Sequence, residues 1–317
     1  MAEVPTVEAA VAAIHALHND PDPARKKAAN DWLTGFQESP HAWTVSDAML
    51  HAEGLPMEVT FMAVQTLHRK MQRDFRELPP DAHIGLRDSV MAHLLRFKAG
   101  PQLMLTQVSL SLAAFAVQCE QWTDVVPHVI AALGEDLAAQ PCLLQVMKVL
   151  PEEIWNNDLN VSNQRRDAFS AQLGAHFRDV SGFLCTMFEG AAASGAAAQA
   201  RVIECYTAWL RVCPEDVPLS EVAQNPIIPV VFQAITNEEM FDACTNCIVY
   251  LIGMSSRPDG VELAQALVPA VMGLRPLHAQ VTDRPESRLI TTSVLRSVGN
   301  RTSDVSKAVS HASHVGG

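Results

Sequence analysis

From its first residues to about residue 275 the chain repeats one pattern. Apolar residues recur at spacings of three and four, in segments parted by short Pro, Gly or Asn breaks, and no stretch shows strand-like alternation. Helices are expected over residues 6–18, from Pro23 to Glu38 with Trp32, Leu33 and Phe36 facing inward, and over 39–54, 56–78, 78–97, 101–118, 123–134 and 140–154. Taken two by two they recur with a period of roughly 35–45 residues, the range of HEAT-type helical pairs. One such pair is too thin to bury its own apolar face, so pairs must stack on their neighbours. The expected fold is therefore all-α: an α-solenoid of HEAT-type antiparallel helix pairs, with about six to seven repeats.

The second half is less regular. Residues 156–163 form a polar loop, and one helix longer than its predecessors is expected over 164–191. The run "AAASGAAAQA" (191–200) is either a flexible joint or the small-residue start of the helix holding Val202, Tyr206 and Trp209. Another pair is expected over 226–235 and 240–254, and a further helix begins at 259–274. Residues 281–317 carry five Lys or Arg against three Asp or Glu and lack a long apolar stripe, so the tail from 275 is expected to be disordered.

The segment 58–80, "EVTFMAVQTLHRKMQRDFRELPP", is the most informative helix. Met57, Phe61, Val64, Leu67, Met71 and Phe75 form one apolar stripe, opposed by Glu58, Gln65, Arg69 and Gln72. Pro56 suits the first turn, and Pro79 with Pro80 ends the helix. Arg69, Lys70, Arg73 and Arg76 gather in the last turns, where cations complement the helix dipole or meet a partner.

Hydrophobic residues make up 48% of the chain and charged ones 18%, enough apolar side chain for a substantial core. A net charge of −12 argues against nucleic acid as the main partner and favours a basic protein. The seven cysteines lie mostly in apolar helical patterns, as Cys119, Cys185, Cys205 and Cys247 do, and read as reduced core residues. Neither a signal peptide nor a membrane-spanning run is recognisable.

Catalytic and metal chemistry finds little support. Cys244 and Cys247 have a zinc spacing but sit in an apolar helix without a second pair, so core packing is the better reading. His15 with His18, and His311 with His314, lack convergent ligands. Glu152 and Glu153 follow Pro151 and read as dipole-favouring carboxylates at a helix start. No nucleophile elbow, phosphate loop or dinucleotide fingerprint is present, so no enzyme activity, cofactor or metal is expected.

An ordered set of short elements carries a resemblance: "HAWTVSDAML" (41–50), "FMAVQT" (61–66), "ELPPDAH" (77–83), "LRDS" (86–89), "VLPEEI" (149–154) and "NQRRDAF" (163–169). Over residues 6 to about 270, and most closely before 170, the chain resembles the importin-β family of nuclear transport receptors. It is most similar to the transportin-SR type, which imports serine/arginine-rich splicing factors. The resemblance implies Ran-binding repeats over 6–118, further repeats over 119–274, and location in cytoplasm and nucleus. It also implies docking of Ran in its GTP form on the helix at 57–78, through Met62, Gln65, Arg69 and Arg73. Such receptors are much longer, so the chain is expected to be truncated and to lack most of the cargo site, leaving nucleoporin Phe-Gly binding open. Apolar surface is then expected at 226–254 and 259–274. The alternative is a solenoid scaffold or decoy that does not depend on a GTPase.

Overall fold

The computed structural model describes residues 4–134 and 136–274; the tail expected to be disordered lies outside them. Among the described residues there are fifteen α-helices and no strand, so the protein is all-α and of the HEAT-type solenoid class. They fall into two compact units, one up to Leu173 and one from Gly174.

The first unit holds α1 (Val7–Asn19), α2 (Pro23–Glu38), α3 (His41–His51), α4 (Met57–Asp74), α5 (His83–Phe97), α6 (Gln102–Gln118), α7 (Val125–Leu133), α8 (Gln140–Glu153) and α9 (Asn163–Gly174). Local chemistry marks the ends of the first pair. The Thr6 hydroxyl accepts from the Ala9 amide at 3.2 Å, and the Asp22 carboxylate accepts from the Ala24 amide at 2.9 Å just before Pro23. α1 packs on α2, α3 on α4, α5 on α6 and α7 on α8; α6 also packs between α4 and α8, and α3 against α5. First and second helices of successive pairs thus form two layers.

α6 explains how the stack is held. Wedged between α4, α5 and α8, it buries Met104, Leu105, Val108 and every residue from Ser111 to Val117, which suits a helix apolar on nearly all sides. Its buried Ser109 and Ser111 hydroxyls donate back to the carbonyls of Leu105 and Gln107 at 2.7 and 2.9 Å, so neither is left unpaired.

Several expectations need correction. Met57, placed on the α4 stripe, is 59% exposed because it precedes the first packed turn, and Val59 takes the buried position. Trp32 is only half-buried and stacks on the buried Phe36 with ring centroids 5.6 Å apart. Pro151 lies inside α8, so Glu152 and Glu153 end that helix rather than begin one, where the dipole disfavours carboxylates. The single helix expected over 164–191 is two: α9 ends at Gly174 and α10 starts at Phe177. A Cβ at Gly174 would stand 2.9 Å from the Val212 carbonyl oxygen, so the break depends on a glycine that lets two backbones approach.

The second unit holds α10 (Phe177–Ala191), α11 (Ala196–Leu210), α12 (Leu219–Ala223), α13 (Ile227–Ala234), α14 (Phe241–Met254) and α15 (Val261–Gly273). Of the two readings of 191–200, the helix start is the one seen: a 3₁₀ turn at Ala192–Ser194 leads to Gly195 at φ +94°, and α11 begins at Ala196. α11 packs between α10 and α14 around the fully buried Tyr206 and Trp209, while α13 packs on α14 and α15 on the unexpected short α12. Large apolar side chains are exposed at Val249 on α14 and at Val261, Val268 and Met272 on α15, but also outside the expected segments, at Ile84, Leu95, Leu103 and Trp155 among others.

All seven cysteines are free. Cys244 and Cys247 are fully buried in α14, and burial pushes their thiols up to about 11 and about 12, which keeps them protonated. Among the described residues no helix is long and apolar enough to cross a membrane.

Candidate functional site

α4 buries Val59, Ala63, Val64, Thr66, Leu67, Lys70 and Met71 on one side and leaves a polar stripe on the other. On that stripe Gln65, Arg73 and Arg76 are exposed, and Met62, Arg69 and Gln72 are half-buried. The spacing from Met62 through Gln65, Arg69 and Arg73 to Arg76 keeps them on one face. All four residues expected at the docking surface are therefore brought together.

Part of this stripe is pre-set by Gln37 of α2. Its amide nitrogen lies 3.4 Å from the Met62 sulfur and donates to the Thr66 hydroxyl at 3.2 Å, while its carbonyl oxygen accepts from Arg69 Nη1 at 3.2 Å. Arg69 is thus held against the neighbouring pair with guanidinium donors to spare. Sequence reading missed Gln37. The available signal was its place beside the inward-facing Phe36 at the end of α2, but its partners appear only once α2 packs on α4.

The basic group read from the sequence is not one patch. Lys70 is fully buried: its ammonium donates to Asp74 at 2.6 Å and Glu77 at 3.3 Å and stands 5.7 Å from the centre of the Trp43 ring. Its position, one residue past the polar stripe, turns it toward α3. Arg76, in the 3₁₀ turn Phe75–Glu77 that follows α4, donates to the Asn160 carbonyl at 3.0 Å and ties that turn to the loop after α8. Arg69 and Arg73 remain as the cations available to a partner on this face.

Beside the stripe lies a polar cluster on α4, α6 and the end of α8. Glu153 is 4% exposed, and burial pushes its carboxyl up to about 7, against hydrogen bonds from Asn156 and Gln72; the charges of Asp158 and Glu152 raise it further. Burial lowers the His68 imidazole to about 4, although the Asp158 carboxylate and a hydrogen bond with Gln107 oppose the shift.

Two adjacent arginines of α9 close this region. Arg165 donates to the carbonyls of Val117, Ala116 and Cys119 at 2.7 to 3.1 Å, and Arg166 to those of Ile154, Asn156 and Leu159. Each guanidinium thereby caps the end of one helix, Arg165 that of α6 and Arg166 that of α8.

A third cluster lies on α3 and α5. His93 Nε2 is 2.9 Å from Asp47 Oδ1 and 3.3 Å from the Ser89 hydroxyl, which itself donates to Asp47 Oδ1 at 2.5 Å. Serine, histidine and aspartate are all present, yet the arrangement is not a nucleophile relay. A relay needs the carboxylate on one ring nitrogen and the hydroxyl on the other, whereas here both meet Nε2. Ser89 is thus not activated as a nucleophile.

Comparison with known proteins matches these helices. Residues 29–96 match the importin-beta N-terminal domain, and residues 101–248 match exportin 1-like protein. Transportin MOS14 of Arabidopsis thaliana is 30% identical over 275 residues, which cover 83% of this chain and 28% of the relative. Importin-13 of Homo sapiens is 27% identical over 280 residues, covering 85% and 28%. An uncharacterised protein of Schizosaccharomyces pombe is 26% identical over 289 residues, covering 89% and 30%. The chain thus spans about three-tenths of the length of the relatives it matches.

Proposed function

We propose that this chain, which belongs to the importin-β family by its successive importin-beta N-terminal and exportin 1-like segments, is the GTPase-binding end of a nuclear import receptor and docks Ran in its GTP form on the polar face of α4. The observation that carries the reading is the stripe from Met62 to Arg73. It lies on the second helix of the second pair, inside the matched segment 29–96, with Gln65 and Arg73 open and Arg69 pre-set by Gln37.

The repeats over residues 6–118 form the Ran-binding part, and residues 119–274 hold further repeats of the same type. A net charge of −12 favours basic cargo such as serine/arginine-rich splicing factors. Nucleoporin Phe-Gly repeats are further partners, and the protein shuttles between cytoplasm and nucleus. Mechanistically, Ran-GTP on these first pairs favours a cargo-free state of the receptor, a coupling between two sites that is reciprocal in binding free energy.

The test is calorimetric titration of the chain with Ran loaded with a non-hydrolysable GTP analogue and, separately, with GDP. Tighter binding of the GTP form supports the reading. Equal affinity for both forms points instead to a scaffold without nucleotide dependence.

A further inference from the structure

We propose that Asp47, His51 and His93 form a zinc(II) site that clamps α3 to α5, the first helices of successive pairs. Asp47 and His51 are one turn apart on α3, so both project from the same face, and α5 packs against α3. One ligand atom from each of the three residues, a carboxylate oxygen and two imidazole nitrogens, lies within 4.8 Å of the others. Ligands 2.0 to 2.1 Å from a tetrahedral zinc stand about 3.3 Å apart. Asp47 Oδ1 is already 2.9 Å from His93 Nε2. His51 Nδ1, 3.5 Å from Asp47 Oδ2, donates to the Asp47 carbonyl 3.0 Å away, so exposed His51 rotates off that carbonyl to offer a ring nitrogen to the metal.

The surroundings orient the donors as a metal requires. Ser89 donates to Asp47 at 2.5 Å and keeps the carboxylate turned toward His93, which is 1% exposed and cannot swing away. The His51 ring meets the His93 ring edge-on, with centroids 4.5 Å apart. Arg96 of α5 donates to the carbonyls of Leu50 and Ala52, which pins the end of α3 on the same seam. Two imidazoles and one carboxylate suit zinc, with solvent on the His51 side supplying the fourth ligand. The cluster joins α3 to α5 and includes no residue of the α4 stripe, so its role is to stiffen the seam between two pairs. It does not rest on the GTPase reading.

Cobalt(II) reports the site directly. Titration of the reduced chain with cobalt should give a saturable absorption at one equivalent, with tetrahedral ligand-field bands and no thiolate charge-transfer band. Zinc should displace the cobalt and raise the thermal midpoint. Replacement His51→Ala, at an exposed position, and Asp47→Asn should each weaken uptake about tenfold or more with unchanged helical circular dichroism. Saturable uptake that survives both substitutions, a thiolate band, or no one-equivalent uptake at all would overturn the proposal.

Discussion

Arg69 of α4 donates through Nη1 to the side-chain oxygen of Gln37 on α2, 3.2 Å away, so one hydrogen bond across two helical pairs sets the direction of the cation at the centre of the polar stripe. Replacing Gln37 with Ala removes that constraint without emptying a core position, since Gln37 is half-buried. Affinity for GTP-loaded Ran should fall by about 1 kcal/mol, roughly fivefold, and helical content should not change. Calorimetry beside circular dichroism reads both.

Lys70 gives a contrast between a buried charge and its partner. Asp74→Ala leaves the fully buried ammonium with Glu77, more distant at 3.3 Å, and should lower stability by about 3 kcal/mol. Lys70→Met removes the charge and keeps the volume against Trp43, and should change stability by less than about 1 kcal/mol. Urea denaturation of the two variants should rank them in that order.

Protonation at the α4, α6 and α8 cluster predicts a pH profile whose two parts oppose each other. Glu153, raised to about 7, holds its proton in the folded state after the unfolded chain has released it near 4.5, so its contribution falls as pH rises from 4.5 to 7. His68, lowered to about 4, stays neutral when folded while the unfolded chain takes up a proton near 6.5, so its contribution falls as pH drops from 6.5 to 4. Each is worth about 2–3 kcal/mol, and they offset each other between 4.5 and 6.5. Glu153→Gln should therefore leave a profile that climbs from pH 4 to 6.5, and should be more stable than the parent chain at pH 8. Denaturation midpoints across pH 4 to 8, taken as differences between the two proteins, check the sign.

The forked caps from α9 should not tolerate lysine. Arg165 serves three carbonyls at the end of α6 with a planar guanidinium, a geometry that one ammonium cannot reproduce. Arg165→Lys should destabilise the unit by about 2 kcal/mol and speed amide exchange in the last turn of α6. Hydrogen exchange followed by mass spectrometry locates the effect.

What was legible in the sequence is what local chemistry decides. α2 could be read from end to end because Asp22 caps it, Pro23 opens it and Ser39 with Pro40 closes it. The helical pairing followed from apolar periodicity alone. What was not legible depends on neighbours remote in sequence. Lys70 and Asp74 are a readable pair at four residues' spacing, but only the Trp43 side chain on α3 makes that pair buried. The break after Gly174 depends on the Val212 carbonyl, and the inward turn of Glu153 follows from α8 continuing through Pro151. The polar stripe on α4 could be predicted residue by residue, whereas Gln37 and the Asp47, His51 and His93 cluster each join two helices and needed the packing.

The most direct test of the α4 docking face is the affinity of a Gln65→Ala, Arg69→Ala double variant for Ran carrying a non-hydrolysable GTP analogue, measured beside the parent chain. Both side chains lie off the buried stripe, so the account predicts unchanged circular dichroism and binding weakened about tenfold or more. Equal affinity in the two proteins would contradict it and move the docking surface off α4.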